Sequence, residues 1–369
     1  MPQNAYPAPL VIPPLVEEHT HTIVSLHGRG SNAKRFGHVL LAAANLQARL
    51  PTVKFVFPTA SRRRATRFKK MPINQWFDNY SIEDPGERTD LQVEGLCETA
   101  KIIRDLISEE VRILGAGSHG KIILWGLSQG CAAGIFTLLG GWLDSSETST
   151  IGAFVGMSGW LPFEQQLHEI LRCGEIPASA GDGQEAQSDD KSESDSDDGE
   201  IARQLSSSDE ELNEESDADA DDFSEPDLDD DPFKRSSPSP DDFDPFADDE
   251  EEASLLDHAI SHVRDILDLP MISTDDLSTE ESQPQSTFHH LKTPVFIGHG
   301  SEDPKVSVEL GRNMSHVLSS GLGMDVTWKA YEGLGHWYRV EDEVEDILRF
   351  LGDRVDLPVK RVPCQDQHD

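Results

Sequence analysis

Residues 121–139 read KIILWGLSQGCAAGIFTLL, and the fold turns on this stretch. Ile122 to Trp125 is a short apolar run of the kind that forms a buried strand. Gly126-Leu127-Ser128-Gln129-Gly130 follows as a G-x-S-x-G, and Cys131 to Leu139 is small and apolar enough for a helix packed on a sheet. Strand, serine turn and helix together predict a nucleophile elbow. A chain that passes from strand to helix within a few residues holds its central residue in strained φ/ψ. Glycines on either side let the two elements approach. The Ser128 hydroxyl is then held clear of the sheet. The N–H of Gln129 lies at a helix N-terminus, where donors are free to meet an oxyanion.

Upstream, residues 1 to about 18 are Pro-rich and read as extended chain, and Thr22 to Leu26 reads as a strand. That strand runs into His27-Gly28-Arg29-Gly30, a pattern that supplies a second oxyanion donor, here the backbone N–H of Arg29. Ala33 to Leu50 reads as a helix and Val53 to Phe57 as the next strand. A basic loop follows, with Arg62, Arg63, Arg64, Arg67, Lys69 and Lys70, and it leads to Asn74-Gln75-Trp76-Phe77-Asp78. It reads as a solvated charge run or as a partner for anions: lipid headgroups at a membrane surface, or the chain's own acids. Leu91 to Val111 carries the 3.6-residue apolar period of a helix. Ile151 to Gly156 is another strand, with Phe163 to Leu171 a short helix beyond it.

Thr293 to Gly298 restores strand character, and His299 to Pro304 reads as its exit loop. Val326 to Tyr331 is the last strand, Gly333-Leu334-Gly335-His336-Trp337 its exit, and Val340 to Leu351 the closing helix.

Between these halves the composition changes. The chain of 369 residues has a net charge of −38, but the charge is concentrated. Asp182 to Glu252 holds about 31 acidic and about 4 basic residues, which leaves about −11 for the rest. Residues 174–288 are rich in Asp, Glu, Ser and Pro, and such a segment cannot bury enough apolar surface to offset chain entropy. The expected organisation is therefore one domain made of residues 1–173 and 289–369, with a mostly disordered acidic insertion at 174–288. One piece of the insertion differs. Leu255, Leu256, Ile260, Val263, Ile266 and Leu267 recur at helical spacing and predict a helix over 254–268. Serines embedded in SESDSDDGE and SSSDEEL suit an acidophilic kinase.

Cys97, Cys131, Cys173 and Cys364 show neither a disulfide framework nor metal spacing, so no metal is expected. The start, MPQNAYPAPLVIPPL, lacks a basic segment followed by a long apolar run, and no apolar span reaches the ~20 residues a membrane helix needs. The expectation is a soluble cytoplasmic protein, with the nucleus also open. Nucleic acid is not an expected partner, because the acidic chain repels phosphate and shows no base-stacking module.

Ser128, Asp303 and His336 occur in the chain order of an α/β-hydrolase triad, each just after an expected strand. In a parallel sheet those strand ends share one edge, where ligands bind. His336 would take the proton from Ser128, and an acid after the strand at 293–298, Asp303 or its competitor Glu302, would fix the imidazole tautomer. His27 and His299 also follow strands, but they precede tight glycines and are read as shaping the backbone.

The stretches LHGRG, FPTA, QWFD, GLSQGC, GMSGWLP, GHGSEDP and YEGLGH, taken together, resemble those of acyl-protein thioesterases and related carboxylesterases. The resemblance covers most of the chain outside the insertion and the termini. It implies an α/β-hydrolase fold, with a mostly parallel central sheet flanked by helices, and no cofactor. It implies hydrolysis of a thioester or ester by Ser128, Asp303 and His336, oxyanion donors at Arg29 and Gln129, and substrate contacts at Trp76, Leu127, Trp160 and Leu161. Implied substrates are palmitoylated proteins, or small esters and lysophospholipids. The chain departs from the pattern of that family in having Arg29 where leucine is frequent, in Trp337 and Tyr338 after the histidine, in the Arg-rich loop and in the acidic insertion. A contrasting reading makes the acidic segment the functional part of a hydrolase-fold interaction protein.

Overall fold

A computed structural model of the protein describes residues 6–142, 150–171, 254–270 and 288–360. The kinase-type serines and the acidic stretch 182–252 lie outside them. The described residues belong to one compact unit. Its elements, in chain order, are β1 (Leu10–Ile12), β2 (His21–Leu26), α1 (Ala33–Ala43), α2 (Leu46–Arg49), β3 (Val53–Phe57), β4 (Arg62–Ala65), β5 (Met71–Asn74), α3 (Val93–Leu114), β6 (Ile122–Leu127), α4 (Gln129–Leu139), β7 (Ala153–Met157), α5 (Glu164–Leu171), α6 (Leu255–Ile266), β8 (Val295–Gly300), α7 (Val308–His316), β9 (Val326–Tyr331) and α8 (Glu345–Val355).

Seven strands form one sheet in the order β1-β3-β2-β6-β7-β8-β9. All neighbours are parallel except the edge strand β1, which runs antiparallel to β3. Along β6, Ile122 and Leu124 enter one apolar core while Ile123, Trp125 and Leu127 enter the other. Both faces are thus buried, which is why these strands read as unbroken apolar runs rather than alternating ones. Helices α3, α4, α6 and α7 supply the first core, and α1 and α8 the second. This is an α/β-hydrolase fold. From β2 the chain passes outward to β3, then returns across β2 to β6, so the strand order reverses between β2 and β6. Ligands of open α/β sheets bind at the carboxyl ends of strands where this happens.

Several expectations change in detail. The helix read over Ala33–Leu50 breaks at Asn45, whose φ of 46° ends α1 and starts the four-residue α2; asparagine tolerates that left-handed conformation. His299 and Gly300 belong to β8 itself, paired with Ala330 and Tyr331, and not to an exit loop. Val340–Val344 forms a wide helical turn ahead of α8. The basic loop is a two-stranded hairpin, with Arg62 opposite Asn74 and Ala65 opposite Met71. Arg63 and Ala65 are buried while Arg62 and Arg64 face solvent, the period of a strand. Two of its cations are already engaged: Arg63 with Glu98 and Arg67 with Glu83. Helix α6 opens with a capping box, in which Ser254 and Asp257 satisfy each other's backbone N–H groups.

Glu343 has no counterpart in the sequence reading. It is 1% exposed, and no side chain among the described residues bonds either carboxylate oxygen. Its neighbours are Gly298 of β8 and the ring of Tyr331, and Asp342, Arg339 and Tyr338 lie close in chain. Burial pushes its pKa up from 4.5 to about 8, with Asp342 adding to the rise and Arg339 opposing it. The folded state therefore holds this proton more tightly than the unfolded one. Its contribution to stability is complete below about pH 4.5 and is lost as pH rises through about 8. Glu343→Gln should be the more stable protein at pH 8 by a few kcal/mol, about 1.4 per pKa unit, with the advantage gone at pH 4.5. Urea midpoints of both proteins across that range check it, and parallel curves would contradict the assignment.

Candidate active site

Ser128 caps α4 directly after β6, with φ 56° and ψ −122°. For a residue with a side chain this backbone costs roughly 1–3 kcal/mol, and the surroundings must hold it. They do so by close approach. A Cβ on Gly126 would overlap the backbone of Gly130 and Cys131, and one on Gly130 would overlap the carbonyl of Leu26. The Ser128 N–H donates to Met157 O at 2.8 Å, which ties the turn to β7.

His336 reaches Ser128 from the far side of the sheet edge, after β9. Its Nε2 lies 3.0 Å from Ser128 Oγ and its Nδ1 lies 2.7 Å from Asp303 Oδ2. An ionised carboxylate only accepts, so Nδ1 carries the proton and Nε2 is left to accept from the serine hydroxyl. Asp303 is buried, which alone would raise its pKa. Hydrogen bonds with His299 and His336, and the N–H groups of Lys305 and Val306 on Oδ1 at 2.8 and 3.0 Å, outweigh burial and hold it well below the usual carboxylate range. His299 Nε2–H donates to Val306 O at 2.9 Å and shapes the loop that carries Asp303.

Loop 27–30 follows β2, the neighbour of β6, with Leu26 paired to Gly126. The N–H groups of Arg29 and Gln129 have no backbone acceptor among the described residues, and both residues line the cavity over Ser128. Around them runs a buried lock. Trp76 Nε1–H donates to His27 O at 2.7 Å, and Ala60 N–H donates to His27 Nε2 at 3.1 Å. His27 Nδ1–H therefore donates to Gly28 O at 2.7 Å, and burial keeps the ring neutral, with its pKa down at about 4. Gln129 Oε1 accepts from Trp76 N–H while its Nε2 donates to Phe77 O.

The cavity holds about 770 Å³. Leu127 and Trp160, two of the expected substrate contacts, line it. Trp76 and Leu161 do not: both are buried in the core, and the Trp76 indole is spent on the His27 carbonyl. Most of the remaining apolar wall comes from Phe36, Phe68, Met71, Ile73, Ile82 and Trp337, none of which the sequence reading placed in contact with substrate. Phe68, Met71 and Ile73 sit on the hairpin, where the alternation of strand β5 was the available signal. No group of three or more His, Cys, Asp or Glu residues placed to hold a metal occurs among the described residues.

A sheet of this order with a serine on the turn after β6 and a histidine and aspartate after β9 and β8 defines the α/β-hydrolase class. Within it, the chain belongs to the phospholipase/carboxylesterase family, whose model matches residues 8–190 and 276–354. It is 32% identical over 163 residues to acyl-protein thioesterase 1 of Yarrowia lipolytica, covering 44% of this chain and 66% of that protein. It is 29% identical over 172 residues to acyl-protein thioesterase 1 of Cryptococcus neoformans, covering 45% and 66%. The matches thus span just under two thirds of these relatives. The crystal structure of Zea mays acyl-protein thioesterase 2 shares the fold, with a TM-score of 0.53 at 18% identity over 95% of this chain and 100% of that one. Arabidopsis thaliana SOBER1 has a TM-score of 0.51 at 15% identity, covering 91% and 99%. Among the described residues no helix is long and apolar enough to cross a membrane.

Proposed function

We propose that this chain is a serine hydrolase that cleaves acyl thioesters or esters through Ser128, His336 and Asp303, with acylated protein cysteines as its leading substrate class. The observation that carries this reading is the continuous hydrogen-bonded line from Ser128 Oγ through both nitrogens of His336 to Asp303. As His336 Nε2 takes its proton, Ser128 Oγ attacks the acyl carbon. The carbonyl oxygen becomes an oxyanion facing the N–H groups of Arg29 and Gln129, each worth about 3–4 kcal/mol in such sites. The C–S or C–O bond then breaks, and the proton on Nε2 passes to the leaving sulfur or oxygen. Water attacks the acyl-enzyme in the same way, releasing the carboxylic acid and returning the proton to Ser128. The apolar walls of the cavity suit an acyl chain. The names of the curated relatives favour a protein thioester, and the family description favours small esters or lysolipids as the alternative.

Covalent labelling of Ser128 by a fluorophosphonate tests the nucleophile, and absence of labelling would sink the enzyme reading in favour of an interaction protein. Rates on palmitoyl-cysteine peptides against short p-nitrophenyl esters choose between the substrate classes, and the larger kcat/KM is expected on the thioester. Peripheral contact with anionic surfaces through Arg62–Lys70 belongs to the same proposal, carried by the exposed Arg62, Arg64, Lys69 and Lys70.

A further inference from the structure

Among the described residues no Asp or Glu lines the cavity over Ser128. Its charged lining residues are Arg29 and Lys305, beside His336. Arg29 is held in place. Its Nη1 donates to Asn79 Oδ1 at 2.8 Å, and its guanidinium carbon lies 5.1 Å from the centre of the Phe68 ring. The carboxylates that act on it at longer range are both committed elsewhere. Asp78 accepts from the N–H and hydroxyl of Thr66, and Glu83 accepts from Arg67 and Ser81. Burial, reinforced by Arg67, lowers the Arg29 pKa only to about 10, so the group is a cation at neutral pH. Lys305 stands two residues beyond Asp303 and lines the cavity with Pro304 and Val306.

We infer that this cavity selects acyl esters and thioesters whose leaving group carries a negative charge, a phosphate or a carboxylate, and that Arg29 and Lys305 make the selection. The inference rests on the hydrolase reading above. A charge at the end of the acyl chain would be stranded among apolar side chains, which is costly. The leaving atom, by contrast, takes its proton from His336, and Lys305 lies on the loop that positions that ring. A cleft of one sign with low-dielectric walls focuses its field and raises capture of the opposite charge by about 10-fold or more, an effect that salt weakens.

The experiment compares two matched pairs on the full-length protein. One pair is decanoylglycerol and decanoylglycerol phosphate. The other is the decanoyl thioesters of N-acetylcysteamine and of N-acetylcysteine. The expected kcat/KM is about 10-fold higher for the anionic member at low ionic strength, with the ratio falling at about 0.15 M salt. In Arg29→Gln and Lys305→Gln the ratio should fall several-fold, whatever happens to the absolute rate. A preference confined to one pair supports the inference and names the anion. Equal rates within both pairs would overturn the inference and leave the hydrolase reading standing. Ratios unchanged in both variants would overturn the roles of Arg29 and Lys305. Hydrolysis of none of the four would overturn the hydrolase reading, and the selection with it.

Discussion

Ser128→Ala should lower kcat by about 10⁵–10⁶-fold and leave the fold in place. The substitution removes one oxygen and adds nothing to the turn. The positive φ of residue 128 is as strained for alanine as for serine, and the bonds that fix it are backbone bonds to Met157 O and from Ala132 N–H. Thermal midpoints of the two proteins should therefore agree to within a few degrees. His336→Ala should cost a similar factor, because the hydroxyl 3.0 Å from Nε2 is a weak nucleophile without its base. The double variant should be hardly worse than either single one, since the two residues act as a unit. Single-turnover rates on one acyl thioester decide this. Retention of more than about 1% of kcat in Ser128→Ala would mean that another group attacks the acyl carbon.

The sheet and the three central site residues were legible because each follows a strand, and strands buried on both faces announce themselves as apolar runs. What the linear pattern concealed was the wall of the cavity. Arg62, Arg64, Lys69 and Lys70 hide the strand period of the hairpin, so Phe68, Met71 and Ile73 read as parts of a charged loop rather than as an apolar lining. Trp76 and Leu161, read as substrate contacts, lie buried in the core and not in the wall of the cavity. A large side chain next to a motif reads as a contact, but here the Trp76 indole is spent on the His27 carbonyl and holds loop 27–30 in place. Glu343 reads as one of several acids around the start of a surface helix, and only the fold places it opposite Gly298.

Asp303→Asn should cost about 10⁴-fold in kcat, through the wrong tautomer rather than through lost packing. The geometry fixes how the amide must sit. Oδ1 of residue 303 accepts from the N–H groups of Lys305 and Val306, at 2.8 and 3.0 Å. An amide nitrogen there would set donor against two donors, so the asparagine must keep its oxygen in that position. Its NH₂ then faces His336 Nδ1, where the carboxylate now accepts at 2.7 Å. A donor opposite Nδ1 drives the ring proton to Nε2, and the nitrogen next to Ser128 Oγ can no longer take a proton. The defect lies in the base, so substrate affinity should change little and the loss should fall on kcat. Raising the pH, which ionises a fraction of the serine directly, should recover part of the rate in the variant and not in the parent. An Asp303→Asn enzyme with wild-type kcat near neutral pH would show that the carboxylate does not set the tautomer.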